Sequence, residues 1–210
     1  MKILLSHLKP LASGNNRDVF VHPHDPNLLI KTIKADASSR KASWKKRFRR
    51  YGRYEQFSRE CHEHIVGRLN CYPPDFVHQV VGFVDTDRGL GLVTRAEKDQ
   101  NGNYAPTLAN LIISGDYDEK AQKAMQHFLS SFIDSNIIIT DLGHGNLVYA
   151  YKEDIGYHFV AIDGFGEKNL IPFNSLSSWC HMRSKKKRVI RLQNSIARAI
   201  ARSREQQQSS

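Results

Sequence analysis

Three side chains with hard oxygen donors fall close together in the second half of the chain: Asp141, Asn146 and Asp163. Asp141 ends the apolar run Ile137-Ile138-Ile139-Thr140, and Asn146 follows five positions later. A hairpin pattern comes next, with apolar runs at Leu147 to Tyr151 and His158 to Ile162, and the second run ends in Asp163-Gly164-Phe165-Gly166. If those runs pair, both carboxylates and the amide converge on one spot. Phosphoryl transfer needs such a spot. One carboxylate accepts the proton of an attacking hydroxyl, while a second carboxylate and an amide oxygen hold Mg²⁺ against nucleotide phosphates. Oxygen donors suit magnesium, and no thiolate or paired imidazole competes within this stretch. Taken singly, Asp141 or Asn146 would be read as a turn cap. The order of all three carries the chemistry.

This order resembles the catalytic and metal-binding loops of protein kinases, in which Asp-x-x-x-x-Asn precedes an Asp-Phe-Gly turn by a β-hairpin. The resemblance implies Asp141 as catalytic base, Asn146 as a metal ligand and Asp163 as the main metal ligand. The chain departs from the pattern in three places: Ile139-Thr140 stands where His-Arg is usual, Gly164 separates Asp163 from Phe165, and Gly143 replaces a common lysine. His144 lies inside the same loop. Upstream, Leu11 to Val19 resembles a degenerate phosphate-covering strand–turn–strand with Gly14 as its one glycine. Lys31 resembles the strand lysine that reaches α- and β-phosphates, with Lys34 as the alternative. Glu60 on the following helix is its expected ion-pair partner, and Glu63 the runner-up. The segment Leu90 to Asn103 is the expected hinge for adenine.

The elements that must position these groups are legible in outline. Strands are expected at Ile3 to Leu5, Asp18 to His22 and Leu28 to Ile33, with turns at Ser13 to Asn16 and Pro23 to Asn27. Tyr54 to Leu69 reads as a helix with Phe57, Cys61, Ile65 and Leu69 near one face. Val80 to Val84 and Leu90 to Thr94 form a hairpin pattern around Asp85 to Gly89, and Lys98 to Tyr104 reads as a loop. Asp118 to Ser135 carries an apolar stripe at helical spacing, which reads as core. Arg183 to Arg204 is a basic amphipathic helix with Val189, Leu192, Ile196 and Ile200 on one side. Cys61-His62-Glu63-His64 looks like a metal box, but on a helix only Cys61 and His64 share a face.

The 210 residues are 40% hydrophobic and carry a formal net charge of +10, which points to anionic partners. Basic residues cluster at Arg40, Lys41, Lys45, Lys46, Arg47, Arg49, Arg50 and Arg53, and again along the C-terminal helix. No helix-turn-helix, zinc-finger or aromatic-interleaved sheet motif supports sequence-specific nucleic-acid recognition. The three cysteines form no C-x-x-C pair, which fits a reducing compartment better than a disulfide framework. Met1 to Leu8, broken by Lys2, Ser6 and His7, does not read as a signal peptide. A cytoplasmic location is expected, with the basic surface suited to the inner membrane face.

From about Leu11 to Leu192 the chain resembles the YrbL family, small kinase-like proteins named for the PhoP regulatory network. The resemblance rests on Arg17 to Ile33, on Ile137 to Asn146, and above all on Asn169-Leu-Ile-Pro-Phe173 and Ser178-Trp-Cys180. It implies an α+β, two-lobed protein-kinase-like fold: residues 1–96 as an N-lobe of small antiparallel sheet and one helix, residues 97–210 as a reduced helical C-lobe. ATP and Mg²⁺ are the implied cofactors. The 44 residues after Gly166 are few for a kinase that docks peptides. The expected acceptor is therefore a lipid, saccharide or other non-protein hydroxyl. Two other readings stay open, an ATP-binding pseudokinase and a basic interaction module without catalysis.

Overall fold

A computed structural model describes residues 2–35, 51–69, 74–166 and 178–208. The cations from Arg40 to Arg50 and the segment Asn169 to Phe173 lie outside the described residues. The contacts group the chain into two units, one of Met1–His64 with His78–Ala96, the other of Ile65–Val77 with Glu97–Ser210. The architecture is α+β, and four α-helices occur among the described residues.

The first unit is built on a five-stranded antiparallel sheet, β1 (Ala12–Ser13), β2 (Arg17–His22), β3 (Asp25–Ile33), β4 (Val80–Thr86) and β5 (Gly89–Arg95), in the order β1-β2-β3-β5-β4. Because side chains alternate along a strand, β3 serves two cores. Ile30 pairs with Phe20 and Val93 and packs with Leu5 on one face. Lys31 and Ile33 take the other, where Ile33 packs with Leu92 and Phe57. Phe57 belongs to helix α1 (Glu55–Val66), entered through a single 3₁₀ turn at Gly52–Tyr54.

Two expectations about this unit are corrected. Ile3 to Leu5 is not a strand: Ile3 makes one parallel bridge to Thr86, and the Asp87 carboxylate accepts from Leu5 N at 2.8 Å and Ser6 N at 3.0 Å. A side chain from the β4–β5 turn replaces the ladder that three residues are too few to build. In α1 the inward residues are Phe57, Glu60 and Glu63, whereas Ile65 is 64% exposed and Leu69, past the helix end, 69%. The cause is electrostatic. Buried Lys31 and Arg17 on the sheet side require the Glu60 carboxylate opposite them, and an unpaired buried charge costs more than the ~1.5–3 kcal/mol of one exposed aliphatic side chain.

The second unit packs helices α2 (Leu108–Ser114), α3 (Glu119–Asp134) and α4 (Ser178–Gln208) with the hairpin β6 (Leu147–Lys152)–β7 (Gly156–Ala161). Its core includes Leu111, Phe128, Phe132, Leu147, Phe159 and Leu192. The α3 stripe thus faces inward as its spacing predicts. Asp118 caps α3 by accepting from Ala121 N at 2.8 Å, which satisfies one of the helix's orphan donors. At the other end Lys185 of α4, 1% exposed, donates to Phe132 O at 2.7 Å and to Ser135 O. That ammonium neutralises the carbonyl end of α3 and ties α4 to it. Helix α2 lies where no helical stripe is visible in the sequence. Seven residues hold it, closed by the Thr107 side chain accepting from Asn110 N and by Gly115 in the left-handed region (φ 84°).

Candidate functional site

Within the first unit, four charged or titratable side chains meet on the covered face of the sheet. Lys31 lies opposite Val19 and Leu92 in the ladder, which aims it at α1. Its Nζ stands 2.5 Å from Glu60 Oε1, and Arg17 Nη1 reaches Glu60 Oε2 at 2.7 Å. His78, just before β4, brings Nε2 to 2.9 Å from Glu60 Oε1, while its Nδ1 is 3.4 Å from Lys31 Nζ. All four residues are buried. Burial alone would raise the Glu60 carboxyl, but the Lys31 ammonium, the His78 hydrogen bond and the Arg17 guanidinium together hold it well below its ordinary value. Burial and the adjacent Lys31 push the His78 imidazole down to about 4. A neutral ring protonated on Nε2 fits both contacts: it donates to Glu60 and turns a lone pair toward the ammonium. Sequence reasoning pairs Lys31 with Glu60. It misses Arg17, which arrives from β2, and His78, from the segment before β4, and no local pattern marks them.

The alternative lysine has a different task. Lys34 Nζ donates to Gly14 O and Ser13 Oγ, both at 2.7 Å, and lies 3.3 Å from Asp18. It braces the β1–β2 turn. Gly14 N donates to Arg17 O at 2.9 Å, and a Cβ at Gly14 would meet nothing nearer than that same oxygen, at 3.8 Å. Of the metal-box residues, Glu63 is buried, His62 is exposed, and His64 Nδ1 accepts from Val80 N at 3.2 Å. Among the described residues no three His, Cys, Asp or Glu side chains cluster as a metal site.

Within the second unit, the loop carrying Asp141 and Asn146 and the loop carrying Asp163 are joined backbone to backbone. Ile139 bridges Phe165, Gly166 N donates to Ile138 O at 2.8 Å, and Thr140 N donates to Gly164 O at 2.8 Å. Thr140 Oγ1 adds bonds to Gly164 O at 3.1 Å and Gly166 O at 3.0 Å. Two of the three departures from the kinase pattern, Ile139-Thr140 and Gly164, therefore have structural work. Ile139 is buried in the core, and Thr140 staples the loops. Gly164 has φ +86°, and a Cβ there would lie 2.3 Å from Asp141 O. Only a residue without a side chain allows that approach.

Asn146 is fixed by Nδ2 donating to Asp141 O at 3.1 Å and by its own N donating to Gly143 O at 2.9 Å. That assigns the amide nitrogen inward and leaves the amide oxygen as its donor toward a cation. Ile162 N then donates to Asn146 O at 2.9 Å, which fastens Asp163's strand end to the same loop. A Cβ at Gly143 would lie 3.3 Å from Asp141 Oδ1 and 3.5 Å from Asn146 Nδ2, so Gly143 keeps the space between them. Asp141 is exposed and Asp163 half-buried. Asp163 Oδ1 accepts from Gly164 N. The Asp163 carboxylate and the Asn146 amide oxygen are hard donors of the kind a divalent cation takes together with phosphate and water oxygens. His144 turns away from this set: Ala109 N donates to its carbonyl at 3.1 Å, and its Nε2 lies 2.8 Å from Ser195 Oγ on α4. Burial lowers its pKa, which favours the neutral ring.

A small antiparallel sheet with one covering helix, and a helical unit with a hairpin and two braced acidic loops, define an α+β protein with paired sites for charge. The family model for "PhoP regulatory network protein YrbL" matches residues 3–197, and the chain belongs to that family. It is 28% identical over 204 residues, 95% of this chain and 90% of the relative, to "Uncharacterized protein YrbL" of Escherichia coli (strain K12). A protein of the same description from Shigella flexneri matches to the same extent.

Proposed function

We propose that the chain is an ATP- and magnesium-dependent phosphotransferase with a two-lobed, protein-kinase-like fold, acting on a hydroxyl of a non-protein acceptor. What supports this reading is the backbone joining of the two loops, which sets the loop of Asp141 and Asn146 beside the loop that carries Asp163. Asp141, exposed at the loop, accepts the proton of the acceptor hydroxyl as its oxygen bonds to the γ-phosphorus and the bond to the β-phosphate oxygen breaks. Asp163 and the Asn146 amide oxygen hold the cation. Magnesium, when bound, neutralises charge on the β- and γ-phosphate oxygens. In the first unit, Lys31, its ammonium oriented by Glu60 and His78, and the turn at Gly14 are the groups this reading assigns to nucleotide phosphates.

A second reading has its own observation. Lys31 is 5% exposed and already engaged by Glu60 and His78, as a structural cation would be. That favours a nucleotide-binding pseudokinase, or a basic regulatory module, in which transfer does not occur. No helix among the described residues is long and apolar enough to cross a membrane. A cytoplasmic protein that meets an anionic lipid or saccharide at the inner membrane face suits both readings.

The test is Asp141→Asn. Transfer or background ATP hydrolysis should fall by ~10²–10⁴-fold while ATP–Mg²⁺ affinity stays nearly unchanged. Wild type that binds ATP–Mg²⁺ but turns over no faster than Asp141→Asn against saccharide, lipid and protein acceptors would establish the pseudokinase.

A further inference from the structure

The two oxygens of the Glu60 carboxylate are unequally supplied. Oε1 has two polar neighbours, Lys31 Nζ at 2.5 Å and His78 Nε2 at 2.9 Å, whereas Oε2 takes Arg17 Nη1 at 2.7 Å. If the Lys31 ammonium moves away, each oxygen keeps a neighbour, His78 beside one and Arg17 on the other. If Arg17 is removed, Oε2 loses the donor it has. A buried carboxylate is costly without a counter-charge, so this asymmetry decides which of the two cations can be spared. With Arg17 in place, Glu60 retains a counter-ion when Lys31 turns elsewhere. A bare lysine–glutamate pair has no such freedom, because departure of the lysine strands the buried anion.

The two side chains are also built for different tasks. Lys31 carries its charge on a flexible four-carbon stem, whereas the guanidinium of Arg17 is planar and donates in fixed directions. Lys31 lies mid-strand in β3, opposite Val19 and Leu92. Arg17 opens β2, and its carbonyl accepts from Gly14 N at 2.9 Å. One residue thus closes the β1–β2 turn through its backbone and holds α1 through its side chain, since Glu60 belongs to α1.

We infer that Arg17 is a positioning residue: it anchors Glu60, and with it α1 and the Gly14 turn, while the Lys31 ammonium is released to a nucleotide phosphate. The release rests on the proposed phosphotransferase, and the anchoring does not. Arg17 acts through Lys31 and touches no phosphate itself. Lys31 is then buried among these groups without being the cation that holds them together.

Urea unfolding and equilibrium ATP–Mg²⁺ binding of the full chain test this in wild type, Lys31→Met, Arg17→Met and the double variant. Without nucleotide, Arg17→Met should lower the urea midpoint by more than Lys31→Met does. Lys31→Met should weaken ATP–Mg²⁺ binding by about tenfold or more. Arg17→Met should weaken it by about threefold or more, because Lys31 is then the cation left on Glu60 and its release becomes costly. In the Lys31→Met background, Arg17→Met should change the affinity by less than about twofold. That dependence on Lys31 separates positioning from a merely structural role, which would lower affinity in both backgrounds. If Arg17→Met does not fold while Lys31→Met does, the ranking holds and Arg17→Gln carries the cycle. Equal or reversed urea midpoints, or the same loss of affinity from Arg17→Met in both backgrounds, overturns the inference. If wild type does not bind ATP–Mg²⁺, the phosphotransferase reading falls, and the urea ranking alone decides whether Arg17 anchors Glu60.

Discussion

The two units hold their charged residues by opposite means. Around Glu60, side chains bind side chains: one carboxylate takes Lys31, Arg17 and His78, and all four groups are buried. Around Asp141, the backbone does the binding: peptide groups of residues 138–141 meet those of 164–166, while Asp141 is exposed and Asp163 half-buried. The first arrangement spends its charges on each other. In the second, Asp163 Oδ1 accepts from Gly164 N and Asp141 is exposed, the arrangement the proposed phosphotransferase would use. Perturbing the first should cost stability, and perturbing the second should cost function.

The largest expected effect is Glu60→Ala, which leaves Lys31 and Arg17 buried without their shared anion. It should destabilise by ~3–5 kcal/mol in urea unfolding, the range for breaking a buried ion pair from one side. A loss below about 1 kcal/mol would show that water or another carboxylate compensates, and the contrast between the units would weaken.

The pH dependence comes next. His78 titrates near 6.5 when unfolded and about 4 when folded, so between those values the unfolded chain binds more protons. Its contribution to stability is therefore complete above pH 6.5 and is lost as pH falls toward 4. The slope should approach ~1.4 kcal/mol per pH unit within that window. Glu60, whose folded pKa is depressed, loses its contribution in the same direction as acid protonates it. His78→Gln should remove most of the slope above pH 5. An unchanged slope would place the titration elsewhere.

Gly164→Ala should cost ~1–3 kcal/mol, because the methyl group would sit inside the Asp141 carbonyl contact at a positive φ. It should also displace Asp141 and lower turnover, whereas Gly102→Ala, with equally positive φ but open space, should cost stability without touching turnover. Smallest is Asp141→Asn, an exposed loop residue, whose effect on unfolding should stay within about 0.5 kcal/mol.

How much of this was legible in the sequence follows from the range of the forces involved. Alternation and turn residues locate β2 to β5 and the β6–β7 hairpin, and the stripe from Ala121 to Phe132 locates α3, because each pattern is local. The short α2 escapes because seven residues show less than two full repeats of an apolar face; its signal is the pair of ends, Thr107 and Gly115. The inward face of α1 is misread because its partners, Arg17 and Lys31, lie 43 and 29 residues away, and only they explain why Glu60 is buried ahead of Ile65. The order of Asp141, Asn146 and Asp163 is visible in one dimension. That Thr140 and Gly164 lock the two loops is not, since it depends on which peptide groups meet. The coupling of His144 to Ser195 spans 51 residues and has no sequence pattern at all.

The central claim is that the braced loops hold magnesium-bound ATP. Unfolding free energy measured with ATP at about 100 times its dissociation constant, with and without Mg²⁺, tests it in wild type and Asp163→Ala. Wild type should gain ~2.7 kcal/mol with both ligands present. Most of that gain should require Mg²⁺, and Asp163→Ala should abolish the Mg²⁺-dependent part. No stabilisation of wild type by ATP–Mg²⁺, or the same stabilisation in wild type and Asp163→Ala, would contradict the account.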